Sequence, residues 1–135
     1  MLKDQLKNVP FFGSLSNREL TGVAQQTDEL DVAPGKALAR EGDFGHEFFV
    51  IVDGTADVVR GDRKLAELGP GDFFGEMALV GEERRIATVT ATSPMRVIVM
   101  TRESFRAIDR TMPAVHTKIV EAIEARRAAA EPAAT

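Results

Sequence analysis

Turn signals recur through the middle of this chain at a spacing that strands accommodate and long helices do not. Pro34-Gly35, Gly42-Asp43, Asp53-Gly54, Gly61-Asp62 and Gly69-Pro70 each bring glycine or proline to a chain reversal. The stretches between them are short and rich in valine, leucine and phenylalanine. Such spacing predicts an all-β barrel or sandwich from about residue 28 onward. Residues 55–60 and 64–68 flank a tight hairpin at Gly61-Asp62-Arg63. Residues 87–92 alternate, which turns Ala87, Val89 and Ala91 to one face. Ser93-Pro94 reverses the chain, and residues 95–100 return as the last strand.

Both ends read differently. Residues 2–9 predict a short helix with Leu2, Leu6 and Val9 on one side, stopped or bent by Pro10. Phe11, Phe12 and Leu15 then form a hydrophobic plug on the core. Ser16-Asn17-Arg18-Glu19 is a capping box, so a helix runs from there to about Thr27, burying Leu20, Val23 and Ala24. After the strands, residues 102–109 predict a helix with Phe105 and Ile108 inward. Pro113 suits the first turn of another. Val115, Ile119, Ala122 and Ile123 make its narrow apolar stripe, and His116, Lys118, Glu121 and Glu124 its polar face. Residues 128–135 carry no pattern.

One stretch carries chemistry. Phe74-Gly75-Glu76-Met77-Ala78-Leu79 follows the turn Gly69-Pro70-Gly71-Asp72, and Arg84-Arg85 precede the alternating strand. A glycine before a short helix lets a ligand approach the backbone. The first N–H groups of that helix can point at an anion. An arginine returning on the next strand can meet the same anion with its fork of donors. A carboxylate beside them repels an anion and accepts from hydroxyls. An anion site next to a hydroxyl site points to a sugar phosphate.

This stretch resembles the phosphate-binding cassette of cyclic nucleotide-binding domains, as found in the catabolite activator protein family, protein kinase A regulatory subunits and nucleotide-gated channels. The family pattern is Phe-Gly-Glu, a large aliphatic, Ala-Leu, a variable loop, then Pro-Arg, two small residues and Thr-Val. Here it reads Phe74-Gly75-Glu76-Met77-Ala78-Leu79 and Arg85-Ile86-Ala87-Thr88-Val89. The Glu76-to-Arg85 spacing equals that of the kinase regulatory subunits. Glu41-Gly42-Asp43, residues 48–54 and residues 69–74 extend the resemblance across most of the chain.

The resemblance implies a mainly β domain with flanking helices. Its antiparallel barrel or jelly roll spans residues 28–101 with the cassette at 74–89. N-terminal helices occupy 1–27, C-terminal hinge and lid helices 102–129, and a tail 130–135. It implies that Glu76 binds the ribose 2′-hydroxyl and Arg85 the cyclic phosphate, with N–H groups at Ala78 and Ile86 completing a cradle. Gly75, Met77 and Ala87 complete the expected ligand set. Arg84 stands where the family has proline; it could assist the phosphate or pair with Glu82 or Glu83, but is expected solvated. Members that prefer cyclic GMP place a hydroxyl residue after the arginine. Here that residue is Ile86, which favours cyclic AMP over cyclic GMP, and alternation turns Thr88 away from the base. The family caps the base from a C-terminal helix; the candidates are Val115, His116, Ile119 and Ile123, which can equally pack on the barrel or on a second copy.

Composition narrows the alternatives. The 135 residues suit one domain, with net charge −4 and scattered basic residues, which disfavours a nucleic-acid partner. Apolar runs are too short for a membrane span, no signal peptide opens the chain, and there is no cysteine; cytoplasm is the expected compartment. His46 and His116 lie far apart, so no metal site is expected, and His46 reads as an exposed loop residue. No catalytic set is legible, so an enzyme on a related barrel is disfavoured and no cofactor is expected. The leading expectation is a regulatory module that binds cyclic AMP and signals to an unknown effector protein through its last helix, which could also form a homodimer. The alternative is a degenerate domain that no longer binds nucleotide and serves structure or dimerisation.

Overall fold

The computed structural model describes residues 2–81 and 84–134, with side chains for 3–81 and 84–126. Helix α1 (Leu2–Lys7), a 3-10 turn (Pro10–Phe12) and α2 (Asn17–Ala24) come first. The strands are β1 (Asp28–Val32), β2 (Ala37–Ala39), β3 (Glu47–Asp53), β4 (Ala56–Arg60), β5 (Arg63–Leu68), β6 (Phe73–Phe74), β7 (Thr88–Ala91) and β8 (Met95–Thr101). Helix α3 (Met77–Val80) interrupts them, and α4 (Arg102–Thr111) and α5 (Pro113–Ala134) follow.

The strands form two four-stranded antiparallel sheets, ordered β1-β8-β3-β6 and β2-β7-β4-β5. This is a jelly roll whose sheets are not closed into a barrel. Between the sheets lies one core. Phe49, Ile51, Val97 and Val99 come from the first sheet, and Ala39, Ala56, Val89 and Ala91 from the second. The alternation expected of residues 87–91 holds, with Ala87, Val89 and Ala91 buried.

Strand β3 explains the second core. Its run Phe48-Phe49-Val50-Ile51 is buried on both faces, so the sheet needs cover on the side away from its partner. Phe48 and Val50, with Ile98 and Met100 of β8, meet the helices there. The cover comes from Leu6, Val9, Phe11, Phe12 and Leu15 at the N-terminus and Phe105, Ile108, Ile119 and Ile123 at the C-terminus. The rings of Phe11, Phe12, Phe48 and Phe73 form a continuous aromatic cluster. Complete burial of a ring such as Phe12 contributes roughly 1.5–3 kcal/mol.

Local signals set most boundaries. The capping box forms: the Ser16 hydroxyl accepts from the Glu19 N–H at 3.2 Å, and the Ser16 N–H donates to the Glu19 carboxylate at 2.9 Å. Helix α2 stops at Ala24, short of Thr27, whose hydroxyl instead donates to the Ala24 carbonyl. Gly61, at φ 60°, closes the two-residue hairpin between paired Arg60 and Arg63. The Thr101 hydroxyl caps α4 by accepting from the Ser104 N–H. Helix α5 continues to Ala134, through the stretch expected as an unpatterned tail; alanine, which dominates there, has the highest helix propensity. The Leu2 side chain lies outside the described residues. Among the described residues, no helix is long and apolar enough to cross a membrane.

Candidate functional site

The pairing of β6 with β3 sets Phe74 opposite Phe49 and delivers Gly75 beside Glu47. Gly75 adopts φ +87°, in the left-handed region. A side chain there would lie 2.7 Å from the Glu47 carbonyl oxygen and 2.5 Å from Arg85 Nη1. Helix α3 starts directly after Glu76. The chain then returns past the 42–44 loop, where the Arg85 N–H donates to the Asp43 carbonyl at 2.7 Å and the Gly42 N–H donates to the Arg85 carbonyl at 2.9 Å.

These bonds aim the Arg85 side chain inward. Its guanidinium passes between Gly75 and Gly45, where an added Cβ would come within 2.4 Å of Nε. Nη2 donates to the Glu47 carbonyl at 2.7 Å. Burial pushes the Arg85 pKa below the usual arginine value, while the nearby carboxylates of Glu47 and Glu76 push it back up. The guanidinium stays a cation.

Gly75, Glu76, Met77, Ala78, Arg85, Ile86 and Ala87 all line one cavity of about 380 Å³. That is within the usual range for small-molecule sites. Val58, Leu65, Leu68 and Val89 of the second sheet form an apolar wall, and Phe73 and Phe74 of β6 also line the cavity. Ile86 is 73% exposed, at the mouth. The site can therefore hold an anion at Arg85, hydroxyls at Glu76 and a flat apolar group against the wall.

Some expected residues sit elsewhere. Val115, His116, Ile119 and Ile123 do not line this cavity. Val115, Ile119 and Ile123 are buried in the core on the far face of the first sheet, whose apolar surface claims the α5 stripe. His116 packs against Phe105, with ring centroids 4.4 Å apart and the planes tilted by 32°, and its Nδ1 lies 3.6 Å from Asp109. The Ala78 N–H donates to the Gly75 carbonyl at 3.0 Å, while the Ile86 N–H has no hydrogen-bond partner among the described residues. Arg84 is not simply solvated: its Nη1 donates to the Gly42 carbonyl at 2.7 Å, and its guanidinium lies over the Phe44 ring. Glu82 and Glu83 lie outside the described residues. Thr88 turns away, accepting from the Glu41 N–H, and His46 is exposed.

Three residues that the sequence reading passed over matter here. Gly45 and Glu47 frame the Arg85 guanidinium. Arg102, opening α4, donates through Nε to the Ala78 carbonyl at 2.9 Å and through Nη2 to the Gly81 and Gly45 carbonyls. It thereby ties the cassette helix to the C-terminal helices. Gly45 had only its place near Glu41-Gly42-Asp43 as a signal; Glu47 and Arg102 had none in the local pattern.

The jelly roll brings an arginine and a glutamate to one apolar-walled cavity. Residues 29–111 match the model of the cyclic nucleotide-binding domain, and the chain belongs to that family. It is 32% identical over 108 residues to the cAMP-dependent protein kinase regulatory subunit of Hypocrea atroviridis, a match covering 80% of this chain and 23% of the relative. The chain spans about a quarter of the length of the curated relatives it matches. The N-terminal domain of a transcriptional regulator from Streptomyces coelicolor A3(2) shares the fold, with TM-score 0.87 and 24% identity over 98% of this chain and 96% of that one. The regulatory domain of Toxoplasma gondii PKA, co-crystallised with cAMP, matches with TM-score 0.74 and 26% identity over 92% of this chain and 49% of that one.

Proposed function

We propose that this domain binds a cyclic nucleotide, cAMP in preference to cGMP, and reports occupancy through helix α5 to an effector. The observation that carries the reading is the half-buried Arg85 guanidinium, held between two glycines and lining the same cavity as Glu76. Arg85 neutralises the phosphate through charge-assisted hydrogen bonds. Glu76 accepts from the ribose hydroxyl, which selects ribose phosphates over simple anions.

The preference for adenine rests on what faces the base. The polar side chains lining the cavity are Glu76, Arg84 and Arg85, and the rest of the wall is apolar. Guanine would lose water from its carbonyl and amino groups with no side-chain hydroxyl to replace it. The signalling role is supported by two contacts of α5. Lys118 pairs with Glu19 of α2 at 3.2 Å, and Arg126 lies 5.3 Å from the centroid of the Phe73 ring. Phe73 lines the cavity, so α5 touches a wall of the pocket. A difference in ligand affinity between two positions of α5 is all that a switch requires.

The test is calorimetric titration of cAMP into protein stripped of nucleotide by unfolding and refolding, with cGMP and 5′-AMP beside it. Binding of cAMP at one per chain, weakened at least about tenfold by Arg85→Ala, is the expected result. No heat from a demonstrably refolded sample would favour a domain that serves structure or dimerisation. Release of AMP on incubation would favour an enzyme.

A further inference from the structure

Three charged side chains line the cavity, Glu76, Arg84 and Arg85, and only Arg85 is held deep between glycines. Arg85 contributes one positive charge, and the carboxylates of Glu47 and Glu76 both act on it. Those two carboxylates offset part of the charge that Arg85 alone would offer a phosphate monoanion. The other basic residue lining the cavity is Arg84. Its guanidinium carbon sits 4.3 Å from the Phe44 ring centroid, and its Nη1 donates to the Gly42 carbonyl.

That resting place is shallow. Phe44 is 52% exposed and Arg84 is exposed, so water competes for both contacts. Nor is it needed to hold the loop. The Gly42 N–H to Arg85 carbonyl and Arg85 N–H to Asp43 carbonyl bonds join the two segments through the backbone alone. The Arg84 side chain can leave while the wall it belongs to stays in place.

We propose that Arg84 is the second cation of the site: when the ligand enters, its guanidinium leaves the Phe44 ring and the Gly42 carbonyl and turns to the phosphate. Phe44 holds the cation beside the cavity that Arg84 lines. This rests on the cyclic-nucleotide reading above, and it assigns a ligand role to a position where the family pattern has proline.

The experiment is titration of cAMP at low and high ionic strength into stripped wild-type protein and the variants Arg84→Gln, Arg84→Lys and Phe44→Leu, with a thermal melt of each free protein. Arg84→Gln is expected to weaken binding about fivefold at low salt and to flatten the salt dependence of Kd. Its melting temperature should stay at the wild-type value, because the backbone pair remains. Arg84→Lys keeps the charge and most of the affinity and salt dependence. Phe44→Leu removes the resting place without weakening binding. Wild-type Kd and salt dependence in Arg84→Gln would overturn the role of Arg84 alone. Equal weakening by Arg84→Gln and Phe44→Leu would do the same, since the pair would then be a loop clamp. Wild-type protein that binds no cyclic nucleotide would overturn both this proposal and the reading beneath it.

Discussion

Replacing Gly45 by alanine separates the proposed anion site from the fold. An added Cβ would stand 2.4 Å from Arg85 Nε, 2.6 Å from Cζ and 2.9 Å from Cδ. Carbon contacts settle near 3.5–4.0 Å, so the guanidinium must retreat by roughly 1 Å. Its 2.7 Å bond to the Glu47 carbonyl then stretches beyond hydrogen-bond range. The obstructing atoms belong to the outer half of a flexible side chain, so the side chain gives way and the backbone stays. Gly45 is not among the glycines with positive φ, so alanine fits its backbone. Restricting the unfolded chain stabilises by about 0.4–1 kcal/mol, which offsets part of a lost charged hydrogen bond of about 1.5–3 kcal/mol. Stability should therefore fall by about 0.5–2.6 kcal/mol, and the protein should remain folded. Binding should not escape: losing a charge-assisted hydrogen bond costs about 1.5–3 kcal/mol, or about tenfold to a hundredfold in affinity. Calorimetric titration of cAMP, beside a thermal melt of the free protein, reads both quantities. The loss should match that of Arg85→Ala. A folded Gly45→Ala protein with wild-type Kd would refute the argument that the slot beside Gly45 positions the anion-binding group.

Other substitutions test the frame around the site. Gly54→Ala should destabilise the fold by more than about 1 kcal/mol, because φ is +90° and the Cβ would meet the Pro94 carbonyl oxygen at 2.4 Å; chemical denaturation measures it. Phe48→Ala should cost about 3–5 kcal/mol in the same assay, since it empties the centre of the aromatic cluster under the helices. Glu19→Gln should lower the melting temperature at neutral pH, and the gap should close in acid. The Glu19 pKa is lowered first by the Ser16 N–H and then by Lys118. Its contribution is therefore full above the ordinary value of 4.5 and is lost as pH falls through the lower folded value. A gap of constant size down to pH 3 would remove that carboxylate from the link between α2 and α5.

The parts of the fold legible in the sequence were those fixed by neighbouring residues. Turn dipeptides placed the reversals, as at Gly61-Asp62, and alternation placed Val89 and Ala91 in the core. Ser16 and Glu19 fixed the start of α2 because both partners of the capping box lie within one helical turn. Its end was less legible, since no glycine or proline directly follows Ala24 and the exit is marked by short-range bonds, from the Gln26 N–H to the Val23 carbonyl and from Thr27 to the Ala24 carbonyl. Closure of the sheets was not legible either, because hydrophobic alternation specifies which face is buried and says nothing about which strand edges pair.

The site divides along the same line. Glu76 and Arg85 could be found because their residue types and spacing carry the chemistry, whereas Gly45 and Glu47 reach Arg85 only after β3 and β6 have paired. Val115, Ile119 and Ile123 pack on the sheet, the other arrangement expected of them, for a reason that the sequence did contain. An unbroken run such as Phe48-Phe49-Val50-Ile51 cannot expose either face, so the sheet needs a helical layer behind it. The narrow stripe of α5 is drawn to that surface, and Ile119 and Ile123 are spent there beside Phe11 and Phe12. For this helix to cover the base, it would have to strip the sheet of part of its cover. A lid built from Ile119 therefore requires another apolar surface, from a ligand or a partner, to replace what α5 leaves behind.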